Sequence, residues 1–220
     1  MRINQYIASC GICSRRSSEQ IIQAGRIKLN GKVLNDLSVK ICDTDVVTLD
    51  DKPITPPKKI YIIMNKPRGV LTTVRDERSR RTVLDILGKY PLRVFPVGRL
   101  DYDTSGLLIL TNDGDFSRRV THPSSNIRKT YVAKTKEIIT GDHISELESV
   151  ADEIKKISDN LLQIIIHTGY NRQVRKMLAN VGLNIESLER TAIGKLTNGQ
   201  FGVYNLQPGK YICTYKKPEI

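Results

Sequence analysis

The sequence has no long apolar run, few cysteines and too few acidic residues to balance its basic ones. A membrane-spanning helix needs roughly 18 consecutive apolar residues, so the absence of such a run argues against a membrane protein. The polar segment that begins at Met1 does not resemble a signal peptide, and we expect a cytoplasmic protein. The 35 Lys and Arg residues outnumber the 23 Asp and Glu residues, which gives a formal charge of +12. A positive excess of this kind favours a polyanionic partner, with nucleic acid ahead of a membrane surface.

The four cysteines do not form a metal-binding pattern. Cys10 and Cys13 make one CxxC pair, whereas Cys42 and Cys213 stand alone, without a second CxxC or a His at zinc-finger spacing. We therefore interpret all four as reduced packing residues and predict no metal and no redox chemistry.

The first fifty residues have the pattern of a small helix-helix-hairpin unit. Apolar residues at helical spacing before Gly11 predict one helix, and Ser14 can cap a second helix that ends at Gly25. Asn30-Gly31 then separates two short apolar stretches, which is a strong hairpin signal. An ordinary solvated basic face is the alternative to RNA contact for the cations of this unit. The candidate RNA-binding residues here are Arg15, Arg16, Arg26 and Lys28.

Residues 51–59 contain three prolines and no periodicity, so we predict a semi-rigid linker between a domain at 1–50 and a domain at 60–220. Beyond the linker, strands and helices mix without regular alternation. The prediction is an α+β fold with a mixed, largely antiparallel sheet and flanking helices. We predict helices at 141–156 and 171–181, the former followed by a short connection, and strands and turns in the tail around Leu188, Ile193, Tyr204, Leu206 and Tyr211.

Two stretches of the larger domain concentrate charge. The segment 65–81 has six basic and two acidic residues, and Lys66 and Arg68 at its start are candidate phosphate contacts. The stretch GRLDYDTSGLLILTNDG spans residues 98–114. Its apolar run predicts a buried strand, so Asp101 is expected on a loop that leads into the core. A loop aspartate is often only a turn former, and spacing alone assigns it no chemistry.

Several stretches occur in an order that resembles a known family. They are YIIMNKPRGVLTT, RTVLDIL, FPVGRLDYDTSGLLILTNDG, HPSSNIRKTYVAK, NRQVRKM and ERTAIGKL. Residues 2–34 resemble the S4-like RNA-binding domain, and the remainder resembles the bacterial ribosomal RNA pseudouridine synthases, in the small-subunit-type branch. The resemblance implies the pseudouridine synthase fold and the isomerisation of one uridine in ribosomal RNA without cofactor or metal. It leaves the target uridine and the subunit open, with a preference for the large subunit.

The resemblance also implies roles for four residues. Asp101 matches the nucleophile, and Tyr131 matches the tyrosine that stacks on the target uracil and is implicated in removing the proton from carbon 5. Arg99 matches a residue that helps to displace the target base, and Leu196 matches an apolar residue at the floor of the uracil pocket. Without the resemblance, Tyr131 would be a packing residue of a strand and Arg99 a partner of nearby aspartates.

The chain departs from the family pattern in the segment TGYNRQVRKM. Tyr170 occupies the position of a basic residue that pairs with the catalytic aspartate in the family, and Thr168 that of an acidic one. Loss of this cation is expected to loosen the orientation of Asp101 and reduce activity. Arg99 or Arg190 can replace the charge, or the Tyr170 hydroxyl can bond to Asp101, so Tyr170 counts among the substrate-binding candidates.

These observations favour an RNA pseudouridine synthase that acts on ribosomal RNA as a monomer. The departure at Tyr170 leaves one alternative, which is a catalytically silent RNA-binding or ribosome-assembly factor on the same scaffold. A DNA-binding protein ranks below both because the sequence contains no recognisable DNA-reading element.

Overall fold

The computed structural model describes residues 1–197 and 206–220, so Tyr204 lies outside the described residues. The chain forms two compact units. The first unit comprises Met1–Lys59, Tyr90–Val94 and Asn112–Gly114, and the second comprises Ile60–Lys89, Phe95–Thr111 and Asp115–Ile220. Within the described ranges, no helix has both the length and the apolar character that crossing a membrane requires.

The first unit contains the two helices and the hairpin that the sequence predicts. Its elements are α1 (Ile3–Ser9), α2 (Ser17–Gln23), β1 (Ile27–Leu29), β2 (Lys32–Val33), β3 (Val47–Leu49) and β4 (Lys52–Pro53). The four strands form an antiparallel sheet in the order β2-β1-β3-β4. The Ser14 hydroxyl accepts a hydrogen bond from the Ser17 amide at 3.0 Å, as a capping serine does, and α2 begins at Ser17, directly after Arg15 and Arg16.

The start of the predicted linker belongs to this first sheet. Lys52–Pro53 pairs with β3, and the next residue, Ile54, packs against the core of the unit. A proline is tolerated there because β4 is an edge strand, where a missing amide donor is not needed for the ladder. The prolines therefore do not mark a free connector from residue 51 onward.

The second unit is an α+β domain, as predicted. Its strands are β5 (Tyr61–Lys66), β6 (Phe95–Pro96), β7 (Ser105–Thr111), β8 (Lys129–Thr135), β9 (Glu153–Ser158), β10 (Leu161–Ile166), β11 (Ile185–Ile193), β12 (Leu196–Thr197) and β13 (Tyr211–Thr214). Its helices are α3 (Val83–Leu87), α4 (Gly114–Thr121), α5 (Gly141–Glu148) and α6 (Gln173–Asn180), with a 3-10 turn at Pro123–Ser125.

The sheet of this unit is mixed and largely antiparallel. The main strands follow the order β13-β5-β7-β11-β8-β10-β9, with β12 paired to β11 and β6 paired to β7. Among the described strands, only β7 and β11 pair in parallel. The apolar run of β7 is buried on both faces, and one core cluster of the domain includes Leu107, Ile109 and Phe116.

The predicted helix at 141–156 is wrong in its second half. Helix α5 ends at Glu148, and Glu153–Ser158 forms strand β9, which turns back directly into β10. Ile154 lies opposite Ile164 in this ladder and packs against the core there. The pairing of two strands outweighs an apolar spacing that happens to fit a helix. The short connection after residue 156 is thus a hairpin turn.

Candidate active site

Asp101 lies on the turn that connects β6 to β7. The Asp101 carbonyl accepts a hydrogen bond from the Thr104 amide at 3.1 Å, which closes the turn. The preceding residue, Leu100, is held at both backbone groups by the Thr72 hydroxyl, which donates to its carbonyl at 2.8 Å and accepts from its amide at 3.3 Å. The Asp101 side chain is half-buried. The fold therefore presents this carboxyl group from a fixed backbone.

Lys66, at the end of β5, contacts the backbone of the same turn. Its ammonium group donates to the carbonyls of Thr104 at 2.8 Å, Pro67 at 3.0 Å and Asp101 at 3.1 Å. Burial lowers the pKa of Lys66 to about 8, although the charges of Asp101 and Asp103 act in the opposite direction. The predicted role of Lys66 as an RNA contact is wrong because its side chain is completely buried.

A second buried cation, Arg190, lies next to Lys66 across Gly106. The register of the sheet sets Lys66 of β5 and Arg190 of β11 on either side of Gly106 in β7. A Cβ atom at Gly106 would lie 2.3 Å from the Arg190 carbonyl oxygen, so only glycine permits this close approach of the two strands. The Arg190 Nε donates to the Leu107 carbonyl at 2.9 Å, which binds the guanidinium to the strand backbone.

The cation that contacts the turn of Asp101 from helix α6 is Arg175. Its Nη2 donates to the Asp103 carbonyl at 3.0 Å and to the Thr104 hydroxyl at 3.2 Å, while its Nη1 lies 3.3 Å from the Asp103 carboxylate. Burial lowers the pKa of Arg175, and the charges of Asp103 and Asp101 raise it. The guanidinium therefore lies within the electrostatic range of Asp101.

Asp103 links the turn to the start of α6. The two terminal guanidinium nitrogens of Arg172, Nη1 and Nη2, each donate to one carboxylate oxygen of Asp103 at 3.3 Å, in a two-point contact. Burial opposes ionisation of Asp103, but the hydrogen bond from Arg172 and the charge of Arg175 outweigh it, and the pKa of Asp103 is lowered. Asp103 thus orients two arginines at the edge of the site.

The sequence predicts that the family's cation is lost at Tyr170, with Arg99 or Arg190 as replacements, but the structure brings a different cation, Arg175, to this turn. The expectation rested on Tyr170, whereas Arg175 lies five residues further on and contacts the turn. In the helix predicted at 171–181, the apolar residues Val174, Met177 and Leu178 define one side, and the sequence pattern assigns Arg175 to the other. One signal was available, because Arg175 directly follows the buried Val174 and so borders the packed face of α6.

Asp101 faces a cavity of about 240 Å³ in the second unit. Of the predicted site residues, Arg99, Asp101, Tyr131 and Tyr170 all line it. The remaining lining residues come from the turn, from β10, from β11 and from the segment at 169–175; they are Leu100, Thr104, Ile166, Gly169, Asn171, Arg172, Gln173, Val174, Arg175 and Leu188. Segments distant in sequence thus meet around one carboxyl group.

Leu196, which the resemblance places at the floor of the uracil pocket, does not line this cavity. It is completely buried in the core cluster that also contains Tyr61 and Leu107. The apolar lining comes instead from Ile166, Val174 and Leu188.

Two tyrosines line the cavity in different ways. Tyr131 is half-buried in β8, where its backbone lies opposite Arg190 on one side and Ile164 on the other. Tyr170 is 75% exposed. In the part of the chain that the structure describes, the Tyr170 hydroxyl has no hydrogen bond, so it does not replace the cation by bonding to Asp101. Arg99 lines the cavity as well and is exposed, so it lies at the rim.

The other predicted RNA contacts differ in their charge balance. In the first unit, Arg26 makes two hydrogen bonds to Asp50 at 2.9 and 2.5 Å, and Lys28 pairs with Asp51 at 2.5 Å. Arg15 and Arg16 are both exposed and have no ion pair among the described residues. In the second unit, Arg68 is exposed and donates to the Glu186 carbonyl at 3.3 Å.

This arrangement suits covalent or proton-transfer chemistry by a carboxylate. The turn fixes the Asp101 backbone, Arg175 supplies nearby positive charge, and Tyr131 provides an aromatic ring and a hydroxyl in the same cavity. Arg99 and Arg172, which are both exposed, line the same cavity.

Comparison with known proteins identifies the family to which the chain is similar. The profile of the RNA pseudouridylate synthases matches residues 60–180, and that of the S4 domain matches residues 1–47. A Bacillus subtilis protein described as ribosomal large subunit pseudouridine synthase B is 38% identical over 204 residues, which cover 86% of this chain and 84% of the relative. An Aquifex aeolicus protein described as an uncharacterized RNA pseudouridine synthase is 38% identical over 226 residues, with 96% and 89% covered.

A solved structure of a pseudouridylate synthase agrees with the fold. It superposes with a TM-score of 0.66 at 25% identity, covering 97% of this chain and 96% of its own. The resemblance to the family is thus confirmed, while the small-subunit-type branch gains no support from a relative described as a large-subunit enzyme. The chain belongs to the RNA pseudouridylate synthase family, and it is an RNA pseudouridine synthase by family and by fold.

Proposed function

We propose that the protein converts one uridine of ribosomal RNA into pseudouridine, with Asp101 as the nucleophile and without cofactor or metal. The observation that carries this proposal is the position of Asp101 on a fixed turn, in one cavity with Tyr131 and within the electrostatic reach of Arg175. We assign the large ribosomal subunit as the source of the substrate, on the likeness to the Bacillus subtilis relative.

The reaction exchanges bonds within one nucleotide, which explains why a carboxylate suffices. Asp101 attacks C1′ of the ribose, which forms a bond to the carboxylate and breaks the bond to N1 of uracil. The base then rotates, and its carbon 5 bonds to C1′ and displaces the carboxylate. The hydrogen on carbon 5 leaves as a proton, and N1 gains a proton. A carboxylate is ionised and available at neutral pH. The main task of the protein is therefore to retain and orient the detached base.

The cavity residues divide this task. Tyr131 supplies a ring against which the uracil can stack and a hydroxyl within the same cavity for removal of the carbon 5 proton. Arg175 keeps the turn in place and stabilises negative charge near Asp101. The target base must leave its helix to enter, at a cost of a few kcal/mol. Arg99 at the rim is placed to offset part of that cost.

We assign RNA docking to the S4-type domain at residues 1–50, acting with the catalytic domain at residues 60–220. Arg15 and Arg16 provide positive charge without an ion-pair partner among the described residues of the first domain, and Arg68 provides positive charge on the second. Such contacts to phosphates position a substrate without reading its sequence. We further propose that the protein acts as a cytoplasmic monomer on RNA and has no DNA or membrane partner.

The runner-up function is a catalytically silent RNA-binding or ribosome-assembly factor. It rested on the loss of the cation at Tyr170. Because Arg175 supplies positive charge beside the turn, the structure offers less reason to choose this alternative.

The test is release of tritium from carbon 5 of uridine in labelled ribosomal RNA taken from cells that lack the protein. We expect release with the wild type and none with Asp101→Ala, while both bind the RNA with similar affinity. The matched control is Asp142→Ala, which changes an exposed carboxylate in the first turn of α5 and should leave release unchanged.

The outcomes separate the hypotheses. Product formed by Asp101→Ala would show that another group is the nucleophile. If the wild type binds the RNA but releases no tritium, the protein is the silent factor.

A further inference from the structure

Tyr170 exposes a larger fraction of its side chain than any other large apolar or aromatic residue that the structure describes. It is 75% exposed, compared with 67% for Tyr215 and 52% for Tyr102. Tyrosine is usually at least half-buried, since removing its ring from water is favourable. At the same time Tyr170 lines the cavity that contains Asp101. An aromatic ring is thus left in water at the mouth of the active site.

The backbone at Tyr170 is fixed, so the ring is not simply on a loose loop. The Tyr170 amide donates to the side-chain oxygen of Gln173 at 3.1 Å, and the Tyr170 carbonyl accepts from the Gln173 amide at 3.2 Å. The Gln173 side chain is in turn held by the Thr168 hydroxyl, at 2.6 Å from its Nε2 and 2.9 Å from its Oε1. A ring on such a turn can bind a flat group with little loss of backbone freedom.

The surroundings of Tyr170 favour a nucleobase as that flat group. Arg99 and Arg172 line the same cavity, so the ring lies among cations. Sites that bind single-stranded nucleic acid combine positive charge with aromatic rings on which bases stack. Tyr131 already provides a half-buried ring inside the cavity for the base that reacts. Tyr170 is then available for a different base.

We propose that Tyr170 stacks on a base adjacent to the target uridine and so helps to select and open the RNA site. This inference rests on the proposed function. Extrusion of the uridine removes the stacking partner of its neighbour. A ring at the mouth of the cavity replaces that partner, so the flipped state is stabilised for sequences whose neighbouring base stacks well. Tyr170 is accordingly a residue that determines substrate preference and takes no part in bond breaking.

The experiment compares Tyr170→Leu and Tyr170→Phe with the wild type in the tritium-release reaction on ribosomal RNA. Leucine removes the flat ring, so we expect kcat/KM to fall about tenfold or more, mainly through KM, as for the loss of one stacked base. Phenylalanine keeps the ring, and the rate should stay within about twofold. Tyr215→Leu is the matched control, because Tyr215 is similarly exposed but does not line the cavity.

A second arm identifies the partner of the ring. Short RNAs are centred on the uridine mapped in the tritium experiment, with the base on its 5′ or 3′ side removed to leave an abasic site. Removal of the stacked neighbour should slow the wild type but cause little further loss in Tyr170→Leu.

Two results would overturn the stacking proposal while leaving the enzymatic function intact. One is a Tyr170→Leu variant that turns over like the wild type, and the other is an abasic penalty that is the same in both proteins. Absence of tritium release from the wild type itself would instead overturn the proposed function, and the stacking proposal with it.

Discussion

The cations of the first unit and those beside Asp101 are the same residue types in opposite environments. Arg15 and Arg16 have no ion pair in the described structure, whereas Lys66 and Arg190 are buried in the sheet of the second unit. The buried pair donates to backbone carbonyls, at 2.8 Å from Lys66 to Thr104 and 2.9 Å from Arg190 to Leu107.

The difference shows that the number of RNA contacts cannot be inferred from the net charge of +12. Some of the positive charge is structural and holds the turn that carries Asp101. In the first unit, Arg26 and Lys28 are neutralised by neighbouring aspartates. Exposed ion pairs of this kind contribute little to stability, but they reduce the field that a phosphate would meet. The three predictions below test this division, from the largest expected effect to the smallest.

Substitution of Arg175 should have the largest effect on activity, because this side chain contacts the turn directly. In Arg175→Gln, the Asp103 carbonyl and the Thr104 hydroxyl no longer face a charged donor, and the turn is free to shift. We expect kcat to fall roughly 100-fold, as for a misplacement of about 1 Å, with RNA affinity nearly unchanged. Tritium-release kinetics measure this. The control is Lys176→Gln, an exposed cation one residue further on the same helix. An equal fall of kcat in both variants would show that the loss comes from a general perturbation of helix α6 and not from the contacts of Arg175.

The burial of Lys66 should make the free energy of unfolding depend on pH. Its pKa is about 8 in the folded protein, against 10.5 as its ordinary value. Between these values the unfolded chain binds a proton that the folded protein has released, so the free energy of unfolding should rise with pH. One such group contributes at most about 1.4 kcal/mol per pH unit.

Urea denaturation of the wild type and of Lys66→Met at several pH values in this range measures the difference. The methionine variant has no group that titrates at this position, so its slope should be smaller. Lys136→Met, which removes an exposed lysine, should keep the wild-type slope. A slope that Lys66→Met leaves unchanged would contradict the assignment of a lowered pKa to this lysine.

The smallest effect concerns the first unit. Arg15 and Arg16 changed together to Ala should weaken RNA binding and flatten its dependence on salt, by about one unit of slope for each phosphate that is no longer bound. Arg26→Ala should change the slope less, because Asp50 already neutralises Arg26. Binding isotherms over a range of salt concentrations distinguish the two. A slope that is unaffected by Arg15 and Arg16 would remove the first unit from RNA docking.

Elements with local signals were predictable from the sequence. The hairpin at Asn30-Gly31, helix α3 and the buried strand β7 all follow from turn residues, caps or apolar runs within a few positions. Thr82 and Asp85, for example, form a capping box at the start of α3. The helix predicted at 141–156 was wrong because its second half pairs with β10, and a single stretch of sequence does not show its partner strand.

The site was predictable only in part for the same reason. The motif placed Asp101 on a loop before a buried strand, and the resemblance pointed to Tyr131 and Arg99, which do line the cavity. Leu196 was assigned to the cavity but lies in the core, and Arg175 was missed. Both depend on how α6 and β12 pack, which spacing along the chain does not record.

By itself, the sequence determined the family motifs in their order, the local helices and turns, and the excess of positive charge. Tertiary structure decided which cations are buried, which arginine contacts the turn that carries Asp101, and which tyrosine remains exposed to solvent. The physical reason is that these properties depend on neighbours that are distant along the chain. Lys66, Gly106 and Arg190 become adjacent only when three separate strands pair. The pairing of these strands therefore determines the solvent exposure of each charged side chain, and the exposure in turn affects its pKa and its contacts.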